Sequence, residues 1–167
     1  DFNFDFDVKR KISLLSDEKI KSQLNLFYQD AVKTVGYETE NQLINTGNEN
    51  WTKETGLLSI WLLGMFNPSD EVTIIVPYKT DAESDYIVKD DYFGTIPTDR
   101  LVVRDGFVFF KGDGKLRGKI GIPPQRALPV IGSYDAENQV LTIVKCEIPE
   151  GVSDYVNSAW EIQEFPY

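Results

Sequence analysis

The sequence has 167 residues, with no histidine and one cysteine, Cys146. The lack of histidine excludes imidazole general bases, Ser-His and Cys-His nucleophiles and every metal site that uses a histidine ligand. One cysteine cannot form an internal disulfide or a thiolate zinc site. Carboxylate chemistry, oxygen-ligated metals and binding without a reaction remain. We expect no cofactor and no metal site, and we assign no catalytic residue.

Basic residues are scarce, with 17 against 27 acidic ones and a net charge of −10. This balance argues against nucleic acid or an anionic membrane as a partner. The longest apolar run, residues 57–66, is well below the ~18 residues that a membrane span needs. We therefore expect no membrane span.

The composition, 41% apolar and 26% charged, is that of a globular domain. We find no internal repeat, linker or low-complexity run. A chain of this length can bury most of its unfolded surface in one core. We therefore predict one domain over residues 1–167.

Periodicity predicts the first elements. Phe2, Phe4, Phe6 and Val8 alternate with polar residues, which predicts a half-buried strand that continues to about residue 13. Ser16 before two acidic residues is typical of a helix N-cap and predicts a short helix over 17–26. Residues 32–45 are rich in Val, Tyr, Thr and Ile and end in Asn-Thr-Gly-Asn. They predict a long strand that enters a hairpin.

The rest of the chain reads as short strands. Residues 56–66 are apolar on both pleat faces, which predicts a strand in the middle of a sheet, and 80–100 is a long acidic loop. Asp105-Gly106 predicts a tight hairpin. Further strands are predicted at 72–78, 101–103, 107–110, 115–122, 129–134, 139–148 and 154–163. In all, about ten strands and one helix predict an all-β fold, an antiparallel β-sandwich, with Cys146 as a buried apolar residue.

Two strings carry a resemblance to a known fold. Tyr37-Glu-Thr-Glu-Asn-Gln-Leu-Ile-Asn-Thr-Gly47 and Leu62-Leu-Gly-Met-Phe-Asn67 resemble the central hairpin of galactose mutarotase-like proteins. The resemblance implies a β-supersandwich with a groove shaped for carbohydrate. A group of uncharacterised bacterial proteins of that architecture is a closer match, through the strings at 55–61, 121–124, 130–134 and 156–161.

The departure from the mutarotase pattern concerns the catalytic histidine. If Phe66-Asn67 corresponds to the aromatic-Asn pair of that superfamily, the histidine position falls on Leu63. An alkyl group cannot transfer a proton, so the epimerase mechanism is not implied. The superfamily also usually uses more than 167 residues. We therefore expect either a fragment of a longer chain or a second chain that completes the sheets.

A basic stripe is the first candidate site. Lys115, Arg117 and Lys119 alternate with apolar residues and glycine, so a strand would project all three from one face at roughly 6.5 Å intervals. Lys111 and Arg126 are near in sequence. Such a stripe would suit the carboxylate or sulfate groups of an acidic sugar. The alternative is a solvated sheet face paired with the many acids.

Aromatic residues are plentiful, with three Trp, eight Tyr and ten Phe. Sugar rings pack their apolar faces on aromatic planes. Trp51 lies in a polar, turn-rich stretch and is the best candidate for an exposed platform, the alternative being packing within a hairpin loop. Trp61 and Trp160 are expected in the core.

Carboxylate pairs are the remaining acid-base option. Glu38 with Glu40, Asp5 with Asp7, and Glu161 are candidates, but spacing distinguishes none of them. The acids of residues 81–91 could ligate Ca²⁺ but lack the ligand spacing of a calcium loop, so we interpret them as a solvated loop.

Three functions are compatible with these features. The leading hypothesis is a periplasmic, secreted or cell-surface β-sandwich that binds a carbohydrate ligand without converting it. The second is a lyase or hydrolase on acidic polysaccharide, with a Tyr or carboxylate acting while Arg117 or Lys119 neutralises the substrate acid. The third is a structural or assembly module whose open sheet edges pair with another chain.

Overall fold

The structure, a computed structural model, describes residues 3–29, 31–58, 60 and 62–147. The chain divides into two compact units, Asp1–Gly64 and Met65–Tyr167. The first unit contains β1 (Phe6–Leu14), α1 (Asp17–Leu24) and β2 (Tyr37–Asn45). The second contains β3 (Val72–Pro77), β4 (Leu101–Arg104), β5 (Phe107–Lys111), β6 (Val130–Asp135) and β7 (Val140–Lys145). In the described ranges, no helix has the length and apolar character to cross a membrane.

The first unit is a two-stranded ribbon with one helix. β1 and β2 are antiparallel, with Phe6 opposite Asn45 and Leu14 opposite Tyr37. The predicted helix is confirmed: the Oγ of Ser16 accepts a hydrogen bond from the backbone N–H of Lys19 at 3.3 Å, which satisfies an otherwise unpaired donor of the first turn. The helix buries Ile20.

The predicted hairpin after β2 is wrong. β2 begins at Tyr37 rather than near residue 32, and its partner is the preceding strand β1. The turn at its end instead closes the ribbon, because the backbone N–H of Gly47 donates to the Oδ1 of Asn45 at 3.0 Å and to the carbonyl of Asp5 at 3.1 Å. The turn predicted from Asn45-Thr46-Gly47 is present, but β2 pairs with the strand before it rather than with one after it.

The second unit is a five-stranded antiparallel sheet in the order β4-β5-β3-β6-β7. The tight turn between β4 and β5 is confirmed. Asp105 (φ 51°) and Gly106 (φ 80°) both adopt left-handed backbone, as a two-residue hairpin turn that matches strand twist requires. This hairpin fixes the register of Val103 opposite Val108.

The two faces of this sheet differ. Side chains alternate between faces, so Val72, Val108 and Phe110 share one face, which we call the core face, and all three are buried. Ile96, from the long loop before β4, is also buried. The other face, which we call the aromatic face, carries these side chains: Val102, Arg104, Phe107, Phe109, Lys111 and Tyr134.

The all-β class with antiparallel sheets and one short helix is confirmed, but two predicted strands are wrong. The described residues of 56–66 and all of 115–122 contain no strand. In the first of these segments Leu63 and Met65 are exposed. A continuous apolar run carries no periodicity that distinguishes a strand from other apolar structure.

Further predictions are wrong or untested. Cys146 is exposed, because it lies just beyond the end of β7. The described residues form seven strands rather than about ten. The predicted strand at 154–163 and the residues Trp61, Trp160 and Glu161 lie outside the described residues.

We predict that burial in the core face sets the stability of the second unit. Val108 is 0% exposed, and its partner across the hairpin, Val103, is 38% exposed. Val108→Ala should lower the free energy of unfolding by about 2–3 kcal/mol, because it removes buried methyl groups and leaves a cavity. Val103→Ala is the matched control and should cost about half as much or less. Urea unfolding followed by circular dichroism measures both, and equal losses would contradict the claim that burial on this face sets the stability.

Candidate functional site

The basic stripe does not form as predicted. Residues 115–122 are not a strand, so Lys115, Arg117 and Lys119 do not project from one pleated face. The ammonium group of Lys115 lies 2.7 Å from a carboxylate oxygen of Asp70, and both side chains are exposed. The pKa of Lys115 is raised, mainly by its hydrogen bond to Asp70. Lys115 is therefore an ion-paired surface residue.

Arg117 and Lys119 lie against aromatic rings instead. The guanidinium carbon of Arg117 is 4.2 Å from the ring centroid of Phe93, and the Nζ of Lys119 is 4.4 Å from that of Tyr92. The two rings contact each other edge to face, with centroids 4.6 Å apart. We call these four residues the cation–aromatic cluster. Each pair has the geometry of a cation–π interaction.

Backbone contacts bring the two halves of this cluster together. Lys89 and Gly121 exchange backbone hydrogen bonds of 2.9 Å in both directions, which joins the long loop to the segment after the stripe. Gly118 lies so close to the core that a Cβ there would meet the Phe110 ring at 3.0 Å and Ile96 at 3.2 Å. A larger residue at 118 would force these side chains to shift, so glycine favours the close approach that packs this segment next to Arg117.

Arg117 is the chemically available member of the cluster. Among the residues that the structure describes, no carboxylate lies within ion-pair distance of its guanidinium, and Phe93 is 45% exposed. A guanidinium stacked on a ring keeps its N–H donors at the edge of its plane, where they can meet a carboxylate or sulfate in a bidentate contact. The cluster thus offers an anion donor next to an exposed aromatic ring.

Arg126 has a structural role. Its Nε donates to the Oγ of Ser84, and its Nη1 donates to the carbonyl of Lys79 at 2.9 Å. The backbone N–H of Lys79 in turn donates to the carbonyl of Arg126 at 2.9 Å. These contacts hold the start of the long loop, so Arg126 is not brought into the cluster.

Trp51 is not an exposed platform. It lies in the first unit, is half-buried, and meets Phe4 edge to face with ring centroids 6.2 Å apart. The stretch after it is a local turn, in which the backbone N–H of Gly56 donates to the carbonyl of Thr52 at 2.8 Å. Trp51 therefore packs against the segment before β1 rather than within its own loop, which is the alternative that we named.

Two of the candidate carboxylates, Glu38 and Glu40, have structural partners. Glu40 pairs with Lys11 across the ribbon at 2.9 Å, and Glu38 pairs with Lys19 of α1 at 2.8 Å. The hydrogen bond from Lys19, together with one from Gln23, lowers the pKa of Glu38. In the ranges described, no three acidic residues of the 81–91 loop come together in a group that could hold a metal ion.

A buried ion pair was not predicted. The carboxylate of Asp113, with 1% of its side chain exposed, accepts a hydrogen bond from the Nη2 of Arg100 and another from the backbone N–H of Lys115 at 3.0 Å. The Nζ of Lys111 is 3.7 Å from its second oxygen. The Arg100 contact is the main cause that lowers the pKa of Asp113 to about 2. This pair anchors the segment that leads into the cluster.

A cleft of about 260 Å³ opens beside this ion pair. Thr73, Val102, Phe109 and Lys111 line it from the aromatic face. The remaining lining residues carry charges of both signs or are buried apolar: Asp70, Glu71, Val72, Asp99 and Arg100. The cleft is therefore lined by apolar side chains and by charged side chains of both signs. The predicted site residues do not line it: Trp51, Lys115, Arg117, Lys119 and Arg126.

Comparison with known proteins finds a family of unknown function and gives no support for the galactose mutarotase-like resemblance. A family model described as a family of unknown function, DUF6786, matches residues 1–167, which is the whole chain. The chain belongs to DUF6786. No curated protein and no solved structure matches the chain. The DUF6786 assignment confirms an uncharacterised family and brings no assigned chemistry.

The buried pair predicts acid sensitivity in this DUF6786 chain. The pKa of Asp113 is about 2 in the folded protein against 3.8 ordinarily, so its contribution is full above about pH 4 and is lost as the pH falls towards 2. Asp113→Asn should lower the free energy of unfolding at pH 7 and flatten its dependence on pH between 4 and 2. Asp17, whose pKa is also about 2, should retain part of that dependence.

Urea unfolding at pH values from 2 to 7 measures this effect. Asp105→Asn removes an exposed turn carboxylate and is the control, which should keep the wild-type stability at pH 7. If Asp113→Asn unfolds with the wild-type pH profile, the pair does not act as described.

Proposed function

We propose that this protein binds carbohydrate without converting it, and that the cation–aromatic cluster is the binding site. The observation that supports this proposal best is Arg117, which lies over the exposed Phe93 ring with no carboxylate partner in the described part of the chain. In a protein of net charge −10, an unneutralised guanidinium at an aromatic surface is a specific feature. Its chemistry suits a sugar that carries an acidic group.

The cluster supplies both contacts that such a ligand needs. The exposed side of Phe93 can pack against the apolar C–H face of a pyranose ring, while the Arg117 fork donates to its carboxylate or sulfate. Lys119, beside Tyr92, adds positive charge next to this contact. Because the guanidinium already lies on the ring, little side-chain entropy is lost when a ligand binds.

The sequence resemblance supports the same ligand class. The strings at 37–47 and 62–67 resemble galactose mutarotase-like proteins, and we extend the proposal to a carbohydrate-shaped groove of that type and to a location outside the cytoplasm. The position of that superfamily's catalytic histidine is occupied by Leu63. Binding without turnover is therefore the function that we propose.

Substitutions in the cluster test the proposal. Arg117→Gln should weaken binding of trigalacturonate, a short acidic oligosaccharide, by about tenfold, because it removes a charge-assisted bidentate contact. Phe93→Leu keeps the apolar volume but removes the flat ring and should weaken binding about threefold to tenfold. Isothermal titration calorimetry on the full chain measures both dissociation constants.

Lys115→Gln is the matched control, since it removes a cation two residues away that is already paired with Asp70. It should change the affinity less than twofold. Absence of binding to acidic and neutral oligosaccharides by the folded protein would contradict the proposal. Release of new reducing ends or interconversion of anomers would show turnover and favour the lyase or hydrolase hypothesis.

A second candidate function is assembly, and the ribbon of the first unit favours it. One face of the ribbon carries Phe6, Val8, Ile12, Leu14 and Tyr37, all of them exposed. A two-stranded ribbon is marginal in water unless its apolar face is covered.

Sedimentation velocity at increasing protein concentration tests this function. Assembly predicts a species larger than the monomer, which Val8→Glu should dissociate by placing a charge on the apolar face. A monodisperse monomer at every concentration would exclude self-assembly.

A further inference from the structure

Charge is segregated on the five-stranded sheet. Because paired residues of antiparallel strands share a face, the register assigns every strand position to one side. The charged residues at strand positions of the aromatic face are Arg104, Lys111 and Lys145, all of them cations. Among the residues that the structure describes, no acidic residue occupies a strand position on that face. The strand positions of this face are therefore free of acids, while Asp70, Glu71 and Asp99 lie at the rim of the cleft beside it.

The same face carries aromatic rings. Phe107 and Phe109 alternate along β5 with the buried Val108 and Phe110, and their ring centroids are 6.1 Å apart. The guanidinium carbon of Arg104 lies 5.2 Å from the ring centroid of Phe109. Phe107 and Tyr134 remain 40% and 41% exposed. The arrangement of a stacked arginine beside exposed rings repeats the chemistry of the cation–aromatic cluster.

This second arrangement is separate from the first. Arg117 lies beside Phe93 and is followed by Gly118, which packs on Phe110 and therefore on the core side of the sheet. Arg104 and Phe107 project from the opposite side. One sugar unit cannot contact both places at once, since a sheet layer lies between them.

We propose that the aromatic face is a second binding surface, and that its ligand is a chain of acidic sugars. Its cations are spread over the face: Arg104 lies opposite Phe107, and Lys111 is four residues further along β5, about 13 Å away. The Nζ of Lys111 is also 3.7 Å from the Asp113 carboxylate, so Arg104 is the main anion donor of the face. Anionic groups at intervals along a polymer match this spread, and exposed rings between the cations suit pyranose faces. Beyond Lys111, the carboxylates of Glu71 and Asp99 at the rim of the cleft would repel an anionic polymer, so the binding surface ends there.

The protein's own charge favours a polysaccharide over single-stranded nucleic acid. Nucleic acid binding draws most of its affinity from neutralised phosphates, and a chain with pI ≈ 4.5 has few cations for this purpose. Stacking of sugar rings depends less on charge. Because the surface is distinct from the cluster, this inference does not rest on the proposed function of Arg117.

Charge reversal on the aromatic face is the experiment. Arg104→Glu should weaken binding of polygalacturonate by about tenfold or more, because it removes a guanidinium and adds a repelling carboxylate. Lys9→Glu, at an exposed position of β1 on the face opposite Val8, changes the net charge by the same amount and should weaken binding less than threefold. Phe107→Leu should weaken binding about threefold to tenfold. Affinity electrophoresis in gels that contain the polymer measures all three, with circular dichroism to show that each variant is folded.

The outcomes separate this surface from the cluster. If Arg104→Glu loses polygalacturonate while Arg117→Gln leaves trigalacturonate binding unchanged, the aromatic face stands and the proposed function of the cluster fails. Equal losses for Arg104→Glu and Lys9→Glu would overturn the inference, since the effect would be general electrostatics. Equal retention by neutral dextran, or tighter binding of polyuridylate than of polygalacturonate, would also overturn it.

Discussion

The close approach of Gly118 to the core is the contact on which the candidate site depends. The Phe110 ring and Ile96 occupy the space that a side chain at 118 would need. Ile96 belongs to the long loop, Phe110 to β5, and Gly118 to the irregular segment between β5 and β6. Where these three residues pack together, the long loop covers the core face of the sheet. The two backbone hydrogen bonds between Lys89 and Gly121 hold the same layer further along the chain.

The register of the five-stranded sheet determines where the candidate site forms. The Asp105-Gly106 turn sets the register of β4 and β5, and that register places Val108 and Phe110 on one side and Phe107 and Phe109 on the other. The long loop with Phe93 and the segment with Arg117 pack on the buried side. The outward side keeps its rings and cations. The alternation of side chains along β5 therefore places the cation–aromatic cluster on one side of the sheet and the aromatic face on the other.

Local patterns in the sequence predict much of this fold. The Ser16 cap, the Asp105-Gly106 turn and the β-branched run of β3 each carry their signal within a few residues, and each is confirmed. The strands at 56–66 and 115–122 were predicted from apolar content or alternation alone. Neither pattern contains information about a pairing partner, and the partner decides whether a strand forms.

The candidate site was predicted in part and for a different reason. Arg117 and Lys119 were selected as members of a strand stripe, but they share a site because of two rings more than twenty residues earlier in the chain. Tyr92 and Phe93 lie in an acidic loop with no local pattern that distinguishes them. The Arg100–Asp113 pair was missed likewise, because no sequence spacing marks an ion pair that forms through tertiary packing.

We propose that Arg117, which has no carboxylate partner among the described residues and lies on the Phe93 ring, binds acidic sugars in this DUF6786 chain. The most direct test is a titration of the ¹⁵N-labelled full chain with trigalacturonate, followed by the chemical shifts of its backbone amides. The account predicts that the largest shifts fall at residues 92–93 and 117–119 and saturate. Shifts confined to other residues, or no shifts at millimolar ligand, would contradict it.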